Sequence, residues 1–263
     1  MVHSARSGAT PSRGQPLAGR VVLVTGGGTG IGRSVAEAAA DAGADIAIAW
    51  LDSSDEAAKV LASIQSSGRQ ARGWQVDVTD RAQNRKLVEE VVACFGRIDG
   101  LVNNAGIMPS TPFLEITEEE WELVVRTDLT AMFFLSQAVI PHMLTQGGGA
   151  IVNVASRLAQ IGWGDVAHYA AAKAGAIALA KSISRAFGQQ GVRANAVAPG
   201  VTNTRMGRGV MEGEVGRRRM LELPLGRFGQ PAEVAEAVIF LLSDASSLFL
   251  GQTLGPNSGG LMA

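Results

Sequence analysis

At 263 residues and 46% hydrophobic content, with 33 glycines and few aromatics, the chain has enough apolar material for one large α/β domain or at most two small ones. A formal net charge of -1, with like charges only in the short runs Glu118-Glu119-Glu120 and Arg217-Arg218-Arg219, leaves no global attraction to nucleic acid or an anionic membrane. The single cysteine, Cys94, excludes an intramolecular disulfide and fits a reducing, cytoplasmic compartment, and no apolar run reaches the ~18 residues that span a bilayer.

Residues 1–18, MVHSARSGATPSRGQPLA, are rich in Ser, Gly, Pro and Arg and carry no acid. Without the apolar core of a secretory signal they read as a flexible tail, the alternative being an organellar transit peptide. Residues 19–263 read as one domain in which short apolar runs alternate with helical patterns. RVVLVT is a buried first strand, GIGRSVAEAAADAGA a helix ended by Gly43, DIAIAW the second strand and SDEAAKVLASIQSSG its helix. RGWQVDV is the third strand, RAQNRKLVEEVVACFG the next helix, and IDGLVNNAG the fourth strand with its loop. TEEEWELVVRTDLTAMFFLSQAVIPHML is a single long helix, opened by a capping box from Thr117 to Glu120. AIVNVAS is the fifth strand, followed by a helix around Tyr169, and VRANAVAPG is the sixth. A polar, Gly- and Arg-rich stretch near 202–229 comes next. PAEVAEAVIFLLSD is a last helix with Pro231 in its first turn, and GQTLGPNSGG holds a short final strand. Such alternation predicts a parallel sheet with right-handed crossovers and helices on both faces. Ligands of these sheets sit beyond the carboxyl ends of the strands, where residues 25–32, 103–106, 155–156 and 199–204 fall.

TGGGTGIG, Thr25 to Gly32, joins the first strand to the first helix. Glycines let backbone approach a ligand closely, and a helix N-terminus attracts phosphate. The spacing is T-G-x-x-x-G-x-G, carried by Gly26, Gly30 and Gly32, rather than G-x-G-x-x-G. Alone it is either a structural turn or a dinucleotide cradle; a strand before and a helix after favour the cradle. The acid that holds ribose hydroxyls in many such sites, ~20 residues on, is absent, since that position is Trp50 or Leu51. The missing acid points to NADP, with NAD as the alternative. Arg33 is the nearest cation, either a phosphate partner or a solvated helix residue.

Tyr169 is the chain's only tyrosine and stands four residues before Lys173 on an alanine-rich helix, so both share one face. A phenol titrates near 10, and bringing it to 7 takes about 4 kcal/mol. One ammonium ~4 Å away at an effective dielectric near 20 supplies about that much. The pair is therefore either an acid/base for a carbonyl or alcohol, or a buried tyrosine beside a surface lysine. Ser156, at the end of the fifth strand, puts a hydroxyl at the same sheet edge and favours the first reading. His168 falls on another helix face and reads as a packing or solvent histidine. No Ser-His-Asp order and no paired metal-ligating histidines appear, so neither a hydrolase nor a metal site is expected.

Together these residues resemble the short-chain dehydrogenase/reductase family over about residues 17–260. Thr25–Gly32, with Gly28, Thr29 and Ile31 inside it, fits the family's cofactor turn. Asp77-Val78 fits its adenine contact, and Asn103-Asn104-Ala105-Gly106 its NNAG motif. Ser156, Tyr169 and Lys173 fit its serine and YxxxK, and Pro199-Gly200 with Thr202 and Thr204 its stretch near the nicotinamide. LGRFGQPAEVAEAVIFLLSDASS and GQTLGPNSGG resemble 3-oxoacyl-[acyl-carrier-protein] reductases and their sugar, steroid and polyol relatives.

The resemblance implies a single-domain Rossmann-like three-layer sandwich with a seven-stranded, mostly parallel sheet. It also implies an oxidoreductase passing hydride between NAD(P) and a small carbonyl or secondary alcohol. Tyr169 would move the proton, Ser156 orient the oxygen, and Lys173 lower the tyrosine's pKa and bind ribose. The segment 202–229, with Gly207, Gly209, Gly213 and Gly216, would form a mobile lid, and Trp163, Leu158 and Met206 pocket walls. A homotetramer or homodimer would form through the long helix and its apolar AMFFLSQAVI. One departure stands out: the family's usual asparagine in that helix is Asp128, which the resemblance implies lies near Lys173, and which keeps the main-chain carbonyl but adds a charge. Two rivals are a cofactor-binding regulatory or assembly protein with weak catalysis, and an epimerase- or dehydratase-like relative, which usually has a longer C-terminal region.

Overall fold

The computed structural model describes residues 14–262. Seven strands form one sheet in the order β3-β2-β1-β4-β5-β6-β7, and every registered pair is parallel. The strands are β1 (Val21–Thr25), β2 (Asp45–Trp50), β3 (Ala71–Gln75), β4 (Gly100–Asn103), β5 (Gly149–Val154), β6 (Val192–Val197) and β7 (Thr253–Leu254). Strand order reverses between β1 and β4, which opens a crevice at their carboxyl ends.

Both sheet faces are covered because the central strands are apolar at successive positions. Val22, Val24, Ile46 and Ile48 pack with α1 (Gly30–Asp41), α2 (Ser54–Ser66) and α10 (Pro231–Leu242). Val21, Leu23, Ala47 and Ala49 face the other way, toward α3 (Arg81–Phe95), α5 (Ala131–Thr145) and α7 (Ala167–Phe187). The three-layer sandwich is as expected.

The structure departs from the sequence reading in several places. Residues 1–13 of the expected tail lie outside the described residues, but Leu17 is fully buried and its N–H donates to the Ala42 carbonyl at 2.9 Å. The folded unit therefore begins before residue 19. The third strand ends at Gln75, so Asp77 and Val78 lie in the loop beyond it.

The long helix is continuous from Glu118 to Thr145 but not uniform. After α4 (Glu118–Val125), residues Arg126–Thr130 form a π-helical turn in which the Ala131 N–H reaches back to the Arg126 carbonyl. Its start is capped by Thr117, which accepts from the Glu120 N–H, while the Glu120 carboxylate turns to His168. By length and composition this helix could cross a membrane, against the sequence reading that no segment would. Here Met132, Leu135, Val139 and Met143 are buried against the sheet, and it packs as a core helix.

The stretch 202–229 carries two short helices, α8 (Arg205–Arg208) and α9 (Gly213–Leu221). Its ends are tied together by a bridge between Thr202 and Gly229. Two of its glycines answer to sterics: a Cβ on Gly207 would sit 2.2 Å from the Thr202 carbonyl oxygen, and one on Gly216 1.9 Å from that of Met211.

Candidate active site

The end of β1 is bolted to the loop after β4. The Thr25 hydroxyl accepts from the N–H groups of Asn104 (2.9 Å) and Ala105 (3.1 Å) and donates to the Val102 carbonyl at 3.3 Å. The Asn104 amide donates to the carbonyls of Thr25 and Gly26, at 2.9 and 3.3 Å. Gly26 and Gly30 have φ of 63° and 55°, which glycine adopts without strain. At Gly32 a Cβ would lie 2.2 Å from the Gly26 carbonyl oxygen, so the turn closes only around a bare Cα. Gly28, Thr29 and Ile31 complete this turn at the N-terminus of α1, and Thr204 reaches over it, its methyl 3.4 Å from where a Gly30 Cβ would stand.

The other predicted cofactor residues gather at the same edge. The Asp77 carboxylate accepts from the N–H and hydroxyl of Thr79, and the Val78 carbonyl accepts from the Asn84 amide. Val78 and Ala105 line one small cavity with Thr25 and Met132. The Pro199 carbonyl accepts from the Arg157 N–H next to Ser156. Gly200 lies so close to Asn257 that a Cβ would meet its Cα at 2.9 Å, and the Thr202 hydroxyl donates to the Gly200 carbonyl.

Ser156, Tyr169 and Lys173 are brought together and all are buried. Tyr169 and Ser156 are hydrogen bonded, and the Ser156 Oγ also accepts, at 3.1 Å, from the N–H of Leu158, which opens the short helix α6 (Leu158–Ile161). The Lys173 ammonium donates to the Val154 carbonyl at 3.0 Å and lies 5.5 Å from the Tyr169 ring centroid. At an effective dielectric near 20, a unit charge at that range favours a phenolate by about 3 kcal/mol.

Asp128, in the π turn, is fully buried, with Oδ2 3.0 Å from the Lys173 Nζ and Oδ1 accepting from the Ile107 N–H at 2.8 Å. The Oδ2 contact is ionic, without an aligned hydrogen bond. A Cβ on Gly106 would fall 2.5 Å from Asp128 Oδ2 and 3.2 Å from Lys173 Nζ, so that glycine makes room for the pair. Gly175 does the same for the helix contact, since a Cβ there would strike Leu129 of the π turn at 2.5 Å.

These charges set the ionisation. Burial pushes the Tyr169 phenol up; Lys173 pulls it down, Asp128 pushes it further up, and the Ser156 hydrogen bond pulls down without reversing the balance. Burial pulls the Lys173 ammonium down, but Asp128 and Tyr169 outweigh it and hold it above its usual range. Burial also pushes the Asp128 carboxyl up, against the pull of Lys173 and the Ile107 N–H.

Some supporting contacts escaped sequence reading. Asn103 points into the core, where its amide donates to Ser136 Oγ and Asn153 Oδ1, and Asn153 donates to the Ala176 carbonyl. This buried ladder fixes β4, β5 and the Tyr169 helix to one another. His168 is fully buried on another face and pairs with Glu120 at 2.8 Å. Only a run of polar residues inside apolar strands hinted at the ladder.

A family profile described as enoyl-(acyl carrier protein) reductase matches residues 26–260. The chain belongs to the short-chain dehydrogenase/reductase family. It is 38% identical over 237 residues to a 3-oxoacyl-[acyl-carrier-protein] reductase of Staphylococcus aureus, covering 90% of this chain and 96% of the relative. It is also 38% identical over 244 residues to D-threitol dehydrogenase of Mycolicibacterium smegmatis, covering 92% and 93%. The crystal structure of levodione reductase superimposes with a TM-score of 0.89 at 33% identity, covering 92% of this chain and 98% of that one.

The enzyme is a NAD(P)-dependent oxidoreductase acting between a carbonyl and an alcohol. Its glycine-lined turn, with no room for a Cβ at Gly32 and a helix N-terminus beyond it, fits the pyrophosphate of a nicotinamide dinucleotide.

Proposed function

We propose that this enzyme reduces a ketone, such as a 3-oxoacyl thioester or a related small ketone, to a secondary alcohol, with Tyr169 as the proton donor. The observation that carries the reading is the buried cluster of Tyr169, the Ser156 hydroxyl and the Lys173 ammonium at the carboxyl edge of the sheet. The nicotinamide, when bound, supplies the hydride. Ser156 orients and polarises the substrate oxygen, Tyr169 gives it a proton, and Lys173 holds the ribose and favours the phenolate left behind. Gly26 to Gly32 take the pyrophosphate, Asp77 and Val78 the adenine, Asn104 to Gly106 the adenosine side, and Pro199, Gly200, Thr202 and Thr204 the nicotinamide side. Segment 202–229 closes over the substrate as a lid, beside Leu158, Trp163 and Met206. The Arg219 guanidinium lies 5.1 Å from the Trp163 ring centroid, which joins the lid to the loop after Ser156. Following cofactor oxidation with a panel of ketones tests the reading; no turnover on any of them would favour a cofactor-binding protein instead.

NADPH is the expected cofactor. Trp50 and Leu51 stand where an acid would hold free ribose hydroxyls and repel a phosphate; the Trp50 indole donates to Ser54 at 3.1 Å. Arg33 is held by Glu37 at 2.9 Å, and on cofactor binding it is within the first helical turn to exchange that partner. A charge-assisted phosphate contact of this kind contributes ~1.5–3 kcal/mol, so kcat/KM should favour NADPH over NADH by about tenfold or more. A preference for NADH would refute this.

The enzyme is also inferred to act in the cytoplasm, without nucleic-acid or membrane partners, as a homotetramer or homodimer. Trp121, Leu123 and Phe133 are each 44–50% exposed along the long helix, apolar side chains that packing against a second copy would cover. Light scattering at micromolar concentration should give a multimer's mass, and a mass of one chain, 27.3 kDa, would count against it.

A further inference from the structure

We propose that Asp128 is a positioning residue that clamps the Lys173 ammonium and offsets its field at Tyr169, so that the tyrosine remains a proton-donating phenol and the site is biased toward carbonyl reduction. The inference rests on Tyr169 being the proton donor, but its central measurement does not require turnover.

The geometry supports it from several sides. The carboxylate reaches Lys173 from a different helix, at 3.0 Å. Neither partner has solvent to screen it, with side chains 4% and 0% exposed. The π turn sets Asp128 in place, and Oδ1 is anchored by the Ile107 N–H of the loop that begins at Asn104. Gly106 leaves space for the carboxylate and ammonium to meet.

The remaining charged or titratable neighbours are few. From the Tyr169 helix, Asp128 is faced by Lys173 and His168; from its own helix, Glu120 reaches it only through His168. Tyr169 is faced by Lys173, Asp128 and the neutral Ser156 hydroxyl. An ammonium alone would draw the tyrosine toward phenolate, the form that takes a proton from an alcohol. With a carboxylate 3.0 Å from it, the same ammonium still binds and orients but acts on the phenol more weakly.

Because the chain has one tyrosine, its near-ultraviolet tyrosinate absorbance reports Tyr169 alone. The apo-protein should show no tyrosinate midpoint below that of a free phenol, about 10. Asp128→Asn, which keeps an acceptor for the Ile107 N–H, should lower the midpoint by about one pH unit, a tenfold rise in tyrosinate at a given pH. The ascending limb of the alcohol-oxidation profile, measured with saturating NADP, should move to lower pH by the same amount. Asp128→Ser should shift in the same direction, and tryptophan fluorescence on NADPH addition reports whether each variant retains its cofactor site. Superimposed titrations of parent and variant would overturn the proposal, as would a parent midpoint near neutrality, which requires no variant. Loss of the oxidation shift with the spectroscopic shift intact would instead count against Tyr169 as the proton-transfer group.

Discussion

Tyr169→Phe is expected to lower kcat by ~100-fold or more while leaving NADPH affinity close to that of the parent, because general acid/base steps contribute on that scale. The substitution removes one hydroxyl and little else. The ring packs with Val124, Val166 and Ala172, contacts that phenylalanine keeps. The lost partner is Ser156, whose Oγ still accepts from the Leu158 N–H. Lys173 retains both the Val154 carbonyl and Asp128, so its position does not depend on the phenol. A fall in kcat without a matching rise in the NADPH dissociation constant would therefore locate the defect in proton transfer. Activity within about threefold of the parent would sink the assignment of Tyr169 as the proton donor, since it falls far short of that contribution.

The other large effect is expected from a single methyl group. Gly32→Ala would place a Cβ 2.2 Å from the Gly26 carbonyl oxygen and 2.5 Å from the Asn104 amide nitrogen. Both are fixed groups: Asn104 is held by Thr25, and Gly26 is in a left-handed conformation that leaves the turn little freedom. The helix must move away from the turn, or the turn must open. Alanine improves helix propensity by ~1 kcal/mol over glycine, but overpacking of a rigid site costs ~1–3 kcal/mol, so net stability should change little or fall by up to ~2 kcal/mol. Cofactor affinity should suffer more, because the turn's backbone is the proposed binding surface. We expect NADPH affinity to fall by about tenfold or more, which is only ~1.4 kcal/mol of misplacement. Gly14→Ala provides the contrast, since it lies outside the turn and its Cβ would meet nothing within 4 Å. Fluorescence titration of both variants checks the contrast. Gly32→Ala binding NADPH as well as Gly14→Ala does would show that the turn is not the cradle.

The order of strands and helices was legible in the sequence for a simple reason. Strands buried on both faces must be apolar at successive positions, as in VVLVT and DIAIAW, whereas the surface helices between them need polar residues on one side. The glycine turn was legible because a strand-to-helix reversal over a ligand needs glycine at particular places, and Gly26, Gly30 and Gly32 occupy them. Tyr169 and Lys173 were legible as a pair because helical periodicity alone puts i and i+4 side chains together.

What only the tertiary structure decided depends on contacts between residues far apart in the chain, or on a one-residue change in helical winding. Leu17 looks like part of a polar tail until it is seen buried and bonded to Ala42. Glu120 fits a capping box locally, but His168, 48 residues later, competes successfully for its carboxylate. Asn103 and Asn153 are polar interruptions in apolar strands until adjacent strands place them side by side, 2.9 Å apart, where each satisfies the other's buried polar group. Asp128 differs from the family's asparagine in sequence, and the resemblance implies a place near Lys173, but not what holds the carboxylate there. The π turn, the Ile107 N–H and the glycines at 106 and 175 together bring its carboxylate to Lys173. Local periodicity specifies which face of an element is apolar, but the approach of two buried charges is set by the packing of whole elements, and the low dielectric there makes that approach decisive.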